Sequence, residues 1–216
     1  MSASTRNENP PVATDLAIGL LYSGVSYQYT FLQRPENKGR IVQLNVWEMA
    51  HHDLSVFDLI IVPRGSDQEA LYAFRTKIYE YLDGGGVLAS FGEVTTDWLP
   101  GVRWDGVLPS DDGPLQFAAT HPVLQNLIPT DVHWHHGYTG WCCHGHFKEP
   151  KKGEVLIRTE TGDPVMYIDR TSTRGTIIAG SEIDVVCHAA HGEAAAQRMF
   201  ENILRWIEGE TAGAKR

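Results

Sequence analysis

The sequence predicts an α/β fold with a parallel central sheet and helices on its faces. Two observations support this class: short apolar runs that end in glycine alternate with helical segments, and a long amphipathic helix follows the last of these runs. The chain has 216 residues, of which 42% are hydrophobic and 21% charged, as in globular domains that bury a full core. We expect one domain over residues 15–209, with flexible segments at 1–14 and 210–216.

The first half of the chain contains four predicted strands. Each is a short apolar run followed by a turn residue, which is typical of a buried strand in a parallel sheet. They are "LAIGLLYSG" (16–24), "RIVQLNVW" (40–47), "FDLIIVPRG" (57–65) and "GVLASFG" (86–92). Between the first two, residues 25–38 are compatible with a helix that Pro35 would end.

A helix is predicted between the third and fourth strands. Ser66 or Asp67 can cap its start, and the glycines at 84–86 end it. Its apolar residues recur at helical spacing, at Leu71, Phe74, Ile78 and Leu82.

The second half of the chain is less regular at its beginning. Residues 94–130 are rich in Pro, Gly and Asp, which predicts surface loops and short elements. Three strands in a meander are predicted over 153–160, 164–170 and 174–181, and an amphipathic helix over 192–209.

Charge and composition exclude several classes of partner. The formal net charge of −9 makes a nucleic-acid backbone an unsuitable ligand. No apolar run reaches the roughly 18 residues that a membrane helix requires, and no apolar signal core is found near residue 1. Two of the three cysteines are adjacent, a poor disulfide framework. We therefore expect a cytoplasmic protein with reduced thiols and a small-molecule ligand, and a homo-oligomer stays open.

Four short motifs occur in a distinctive order: the glycines at 84–86, His121-Pro122, Arg174-Gly175 and, in the last helix, Trp206. In this order they resemble the trehalose-utilisation (ThuA-like) group of the class I glutamine-amidotransferase-like superfamily, over residues 16–208. The resemblance implies a flavodoxin-like three-layer sandwich with a mostly parallel sheet. It also implies a site at the carboxyl ends of the parallel strands, where open α/β sheets generally bind ligands.

At that edge the loop after the third strand offers Arg64, Gly65 and Ser66 as substrate-binding residues. The turn after the fourth strand offers Glu93, as a general base or a metal ligand, or as a helix cap or solvated turn residue. Amidotransferases proper carry a cysteine nucleophile in this turn. The chain has no cysteine before residue 142, so a glutaminase is not expected. Ser90 could replace the nucleophile in one register, and it also fits a buried strand.

The loop after the last strand carries a second group of titratable residues. Asp184 and His188 could form an acid–base pair, because histidine titrates near neutral pH and both would share a face if the segment were helical. The alternative is that they only cap the last helix or bond the backbone. We expect His191 to mark the boundary of that helix.

The segment "HWHHGYTGWCCHGHF" (133–147) holds five of the ten histidines. Three interpretations stay open: a site for zinc or a similar divalent metal, a pocket wall of imidazole and aromatic rings for a sugar-like ligand, or a structural loop. Adjacent cysteines match no structural zinc motif, and Cys142 and Cys143 fit small core residues better. The candidate metal ligands are His133, His135, His144 and His146, and the candidate substrate-binding rings are Tyr138 and Trp141.

The sequence therefore predicts an amidotransferase-like domain without the cysteine nucleophile. It would act on a small polar, sugar-like substrate by acid–base chemistry, with or without a metal, as a hydrolase or an isomerase. The predicted catalytic residues are Glu93, Asp184 and His188. The alternative is a catalytically silent domain that binds a ligand or assembles with a partner chain.

Overall fold

A computed structural model describes residues 14–106, 115–132, 145–181 and 183–214, with only the backbone described at 211–214. Ten strands are present in these ranges: β1 (Ile18–Tyr22), β2 (Ile41–Asn45), β3 (Leu59–Val62), β4 (Val87–Phe91), β5 (Trp104–Asp105), β6 (Gln116–Phe117), β7 (His146–Phe147), β8 (Glu154–Arg158), β9 (Pro164–Asp169) and β10 (Thr176–Gly180). The α-helices in these ranges are α1 (Ser26–Gln33), α2 (Gln68–Ala73), α3 (Arg75–Asp83), α4 (Val185–Ala190) and α5 (Ala194–Ala214).

Eight strands form the central sheet in the order β2-β1-β3-β4-β10-β9-β8-β6. The first five of these are parallel to one another. β9, β8 and β6 extend the sheet by antiparallel pairing, so the predicted meander of β8, β9 and β10 is present. β5 and β7 form a separate two-stranded sheet. The fold is thus mixed α/β with a mostly parallel central sheet.

Apolar side chains project from both faces of the sheet, because successive residues of a strand point to opposite sides. Ile61 of β3 packs in one cluster with Phe200 of α5, while its neighbour Ile60 packs in a second cluster with Ile78 of α3. Helix α4 contacts both α1 and α5, and Phe31 of α1 packs edge-on against Phe200 of α5. Burial on both faces explains why the parallel strands are nearly continuous apolar runs in the sequence.

Several elements differ from those predicted. The helix expected over 66–83 is interrupted at Phe74 (φ −100°, ψ 12°), and Arg75 donates to the Tyr72 carbonyl (2.8 Å) beside this break. The loop expected on the surface after residue 94 places Trp98 in the core, fully buried, with its indole N–H donating to Gln68 Oε1 (2.9 Å). A long-range contact decides this burial, so local composition does not indicate it.

Two further differences concern the second half of the chain. The sequence "DVHWHHG" (131–137) is compatible with a strand, but Asp131 ends a 3-10 helix (Pro129–Asp131), and residues 133–137 lie outside the described ranges. The last helix continues to Ala214 instead of ending at 209.

No helix in the described part of the chain combines the length and the apolar character that crossing a membrane requires.

The glycine motifs 84–86 and 174–175 lie together where β4 and β10 begin. The Thr176 amide donates to the Gly86 carbonyl (3.0 Å), and a Cβ at Gly175 would lie 2.6 Å from the Leu82 carbonyl oxygen. The backbones approach too closely here for any side chain, which is a physical reason for these glycines.

We predict that Gly175→Ala lowers the free energy of unfolding by about 1–3 kcal/mol, because the new methyl group meets backbone atoms that cannot move independently. Urea unfolding followed by circular dichroism measures this. Gly209→Ala is the control, because Gly209 is exposed in α5 and a Cβ there meets nothing within 4 Å. This substitution should raise the free energy of unfolding by about 0.5–1 kcal/mol, since alanine favours the helix more than glycine does. Equal effects of the two substitutions would contradict the close approach.

Candidate functional site

The hydrogen-bonded register of β3, β4 and β10 brings three loops to one edge of the sheet. Val62, Ser90 and Ala179 lie side by side in this register. Just past them the Gly92 amide donates to the Gly180 carbonyl (2.6 Å). The loops that follow β3, β4 and β10 carry the predicted site residues. Because these strands are parallel, the three loops lie at the same edge of the sheet.

Arg64 and Glu93 form a charge pair at this edge. Arg64 Nε lies 3.4 Å from Glu93 Oε1, and the side chains of Arg64 and Glu93 are 35% and 25% exposed. Gly92 has φ +112°, and a Cβ there would lie 2.8 Å from the Cα and Cβ of Arg64. Arg64 therefore fills the space that a side chain at the end of β4 would need.

Asp184 is the most unusual group of the site. It is 1% exposed and caps α4, with Oδ1 accepting the Cys187 amide at 3.0 Å. Its Oδ2 is buried too and makes no hydrogen bond of normal geometry with the described residues, although the Val186 amide lies near the carboxylate. Burial raises the pKa of Asp184 from 3.8 to about 7, and the nearby Glu93 adds to this, while the Cys187 amide and Arg64 oppose it. Asp184 can therefore hold or release a proton near neutral pH.

Tyr27 and Cys187 complete the surroundings of Asp184. The Tyr27 hydroxyl donates to the Arg64 carbonyl, which also accepts from Gln28 Nε2 (3.1 Å). Burial, followed by the charge of Asp184, raises the pKa of Tyr27 well above its usual range. The same two causes raise the pKa of Cys187 to about 12. Both groups stay protonated at neutral pH, so Asp184 is the group among the three that titrates there.

The remaining residues of the loop after β3 differ in their accessibility. Gly65 is exposed with φ +70°, whereas Ser66 is buried and its hydroxyl donates to the Pro63 carbonyl (2.7 Å). Asp67, rather than Ser66, caps α2 by accepting the Glu69 and Ala70 amides (3.1 and 3.0 Å). Arg64 and Gly65 are thus the predicted substrate-binding residues of this loop that face solvent.

Ser90 lies inside β4 and is 2% exposed. This position matches the buried-strand alternative for Ser90.

The segment after β10 contains a helix where the sequence predicts a loop. α4 begins after Asp184 and includes His188, which is 7% exposed and whose amide donates to the Asp184 carbonyl (3.1 Å). Asp184 and His188 are therefore one helical turn apart. His191 ends α4 rather than beginning the last helix, and its Nδ1 lies 3.7 Å from Cys187 Sγ.

Most of the histidine-rich segment lies outside the described residues, including His133, His135, Tyr138, Trp141 and His144. The chain is described again from Gly145, whose carbonyl accepts from Ser181 Oγ (2.7 Å). The same hydroxyl accepts from Trp104 Nε1 (2.9 Å). Since Ser181 directly follows β10, the histidine-rich segment ends beside the site edge.

His146 is the candidate metal ligand that the structure describes. Its Nε2 lies 3.8 Å from Asp163 Oδ1, and its buried Nδ1 has no hydrogen-bond partner among the described residues. Within residues 14–106, 115–132, 145–181 and 183–214, no three His, Cys, Asp or Glu side chains lie close enough together to hold a metal ion. A metal site would need ligands from outside these ranges, such as the histidines of residues 133–144.

A separate cleft of about 720 Å³ lies along β6, three strands away from β10. It includes His121, whose Nδ1 accepts the Val123 amide (3.3 Å) and whose ring packs edge-on against Trp206 (5.1 Å between ring centroids). Burial lowers the pKa of His121. The His121-Pro122 and Trp206 motifs therefore contact each other at some distance from Asp184.

Comparison with known proteins gives a fold-level result. No protein-family model matches the sequence, and no curated protein sequence matches it. Two solved structures of similar length are the cytoplasmic proteins STM1381 from Salmonella typhimurium LT2 and STM3548 from Salmonella typhimurium. STM1381 has a TM-score of 0.55 and 13% identity over 86% of this chain and 88% of its own. STM3548 has a TM-score of 0.54 and 12% identity over 89% and 98%.

A third solved structure is the exo-β-1,4-mannosidase Op5Man5 from Opitutaceae bacterium strain TAV5, with a TM-score of 0.50 and 12% identity. The match covers 87% of this chain but 35% of the mannosidase chain. At such identities these likenesses describe the fold alone.

The sequence does not single out Tyr27 or Trp104 as members of the site. The loop after β1 begins at the same edge as the loops after β3 and β4, because the strands are parallel. This topology is a signal that could have indicated Tyr27. Trp104 reaches Ser181 across 77 residues of sequence, a contact that no local pattern indicates.

We predict that Asp184→Asn removes a pH dependence of stability. The pKa of Asp184 is higher in the folded state than in the unfolded chain, so its protonation stabilises the fold below pH 4. That stabilisation is lost as pH rises to about 7. Between pH 5 and pH 8 the free energy of unfolding of the wild type should fall by about 2–3 kcal/mol more than that of the variant. Urea unfolding of both proteins at several pH values measures this, and parallel curves would contradict the raised pKa.

We also predict that Gly92→Ala lowers the free energy of unfolding by about 1–3 kcal/mol more than Gly85→Ala, because only the first methyl group displaces Arg64. Gly85 is the matched control, since it has φ +94° and a Cβ there would meet nothing within 4 Å. Both variants carry the same left-handed backbone cost. Thermal and urea unfolding measure the difference, and equal losses would show that Arg64 can move aside freely.

Proposed function

We propose that this chain is a flavodoxin-like member of the class I glutamine-amidotransferase-like superfamily, related to the trehalose-utilisation group. It would bind a small polar, sugar-like molecule at the carboxyl edge of its parallel strands and act on it by acid–base chemistry. The order β2-β1-β3-β4-β10 of the five parallel strands supports the fold part of the proposal, because flavodoxin-like sheets have the same order.

The state of Asp184 supports the acid–base part. A general acid or base works best with a pKa near the working pH, and burial is the usual way in which a carboxyl group reaches such a value. Asp184 has a pKa raised to about 7, and its buried Oδ2 makes no hydrogen bond of normal geometry with the described residues. A purely structural cap would need only Oδ1, which the Cys187 amide already uses.

The Arg64–Glu93 pair supports the binding of a polar ligand. Both side chains are partly exposed, so hydroxyl groups of a ligand can reach the guanidinium as donor and the carboxylate as acceptor. The two charges also act on Asp184 in opposite directions. A ligand that separates Arg64 from Glu93 would therefore change the proton affinity of Asp184.

A metal-assisted form of the same chemistry would use His133, His135, His144 and His146 as ligands. His146 supports this form in one respect, since its buried Nδ1 has no partner within the described ranges. The metal-free form would use those imidazoles, with Tyr138 and Trp141, as a pocket wall.

The catalytically silent alternative has one observation in its favour. Ser90 is 2% exposed inside β4, and Arg64 occupies the space that a side chain at position 92 would need, so neither position offers an accessible nucleophile. Acid–base chemistry from Asp184 needs no such side chain. We further propose a cytosolic location, in keeping with the names of the two Salmonella neighbours.

Binding of a sugar panel tests the proposal. We expect calorimetry with glucose, mannose, fructose and gluconate to detect binding whose affinity changes between pH 6 and pH 8, because Asp184 titrates in this range. Asp184→Asn should change that affinity by about tenfold and remove its pH dependence, because a ligand that shifts the pKa of Asp184 by one unit is coupled to its proton by about 1.4 kcal/mol. If no panel member binds, or if Asp184→Asn binds as the wild type does, the proposal fails.

Asp169→Asn is the matched control. Asp169 is also a buried carboxylate, but it accepts hydrogen bonds from Thr171 and Ser172 and lies at the far end of β9. Its substitution should lower stability and leave affinity unchanged. Proton NMR of the same sugars and of their methyl glycosides in D2O separates the two functions. An acid–base enzyme exchanges a C–H next to the carbonyl group or releases a free sugar from a methyl glycoside, whereas a silent domain does neither.

A further inference from the structure

Trp47 is an exposed aromatic residue that the structure holds in a fixed orientation. Its side chain is 53% exposed, within the 3-10 helix Val46–His51. The indole Nε1 donates to Asp67 Oδ2 (2.7 Å), and the Trp47 amide donates to Asn45 Oδ1 (3.1 Å). The polar atom of the ring is therefore used inside the protein, and the ring presents apolar surface to solvent.

The residue that holds the ring is itself well fixed. Asp67 Oδ1 accepts two amides of α2, and the Asp67 amide donates to Ser23 Oγ (3.1 Å). The bonds to its carboxylate, from the α2 amides and the indole, lower the pKa of Asp67. An exposed indole whose orientation is fixed before a ligand arrives loses little entropy on binding.

The position of the ring connects it to the Arg64–Asp184 site. Its outer edge lies 3.6 Å from the position of a Cβ on Gly24, in the loop after β1. A Cβ on Gly65 would lie 3.5 Å from Val25 and 3.7 Å from the Tyr27 hydroxyl. Gly24 and Gly65 are both exposed and both have positive φ (+80° and +70°).

These two glycines form bare backbone surface between the indole and Arg64. The hydrogen bond from Asp67 to Ser23 and that from Tyr27 to the Arg64 carbonyl join the loops after β1 and β3. A ligand that lies across the joined loops would meet an aromatic face at one end and the Arg64–Glu93 pair at the other. No side chain at positions 24 and 65 stands in its way.

We propose that Trp47, with Gly24 and Gly65, forms a sugar-binding platform on which the C–H face of a pyranose ring stacks. This inference rests on the proposed function, because it extends the same edge and names the ligand class as neutral pyranosides. Stacking of an apolar sugar face on an indole, with hydroxyl groups turned to charged side chains, is the usual chemistry of such sites. A cationic ligand fits less well, since the Asp67 carboxylate is already occupied by three N–H donors.

Saturation-transfer NMR with the methyl glycosides of glucose, mannose and galactose tests the platform. We expect saturation to be strongest on the C–H protons of one sugar face. Trp47→Ala should weaken binding about tenfold, and Trp47→Phe, which keeps a ring, should weaken it less. Tyr29→Ala is the matched control, since Tyr29 is 52% exposed on α1, and it should bind as the wild type does. Choline serves as the cationic probe.

Each result has a defined meaning. Loss of sugar contact in Trp47→Ala but not in Tyr29→Ala supports the platform. Unchanged sugar contact in Trp47→Ala, no contact in the wild type, or Trp47-dependent binding of choline instead of glycosides overturns it. Asp184→Asn separates the two proposals. If it abolishes binding while Trp47→Ala does not, the platform alone is wrong, and if Trp47→Ala abolishes binding while Asp184→Asn does not, the role of Asp184 is wrong.

Discussion

The hydrogen-bonded register of β3, β4 and β10 is the constraint on which the candidate site depends. A slip of one residue would turn every side chain of a strand to the opposite face, and here both faces are buried in apolar clusters. The core therefore decides which residues emerge at the carboxyl edge. The contact of Arg64 with Gly92 and the placement of Ser181 beside Trp104 both follow from a register that is set some distance away, in the middle of the sheet.

Asp184 has two tasks that place opposite demands on its proton. As a helix cap, the carboxylate is stabilised by the Cys187 amide, which favours ionisation. As a group with 1% exposure, it is destabilised as a charge by desolvation. Desolvation is the larger effect, and Glu93 reinforces it against Arg64. Ionisable groups with strongly shifted pKa values occur most often at functional sites. For this reason we group Asp184 with the exposed Arg64–Glu93 pair in one candidate site.

Much of the framework was predictable because it rests on local patterns. The parallel strands are apolar runs, Asp67 caps a helix by its own side chain, and the glycines at 84–86 end that segment, so each could be predicted from a few neighbouring residues. The expectation that the loops after β3, β4 and β10 share an edge followed from parallel topology. The break at Phe74, the burial of Trp98 and the surroundings of Asp184 depend on residues far away in sequence. The titration of Asp184 in particular depends on depth in the fold, which composition does not encode.

The contact between Gly92 and Arg64 also limits how this scaffold can change. Any side chain at position 92 would require a backbone with φ +112° and would place its Cβ 2.8 Å from the Cα of Arg64. A single substitution at position 92 meets Arg64 directly, and substituting Arg64 first removes the partner of Glu93. A side chain at position 92 therefore requires at least two changes, one at Gly92 and one that moves Arg64. Arg64 thus protects the end of β4 against a change that one substitution could otherwise make.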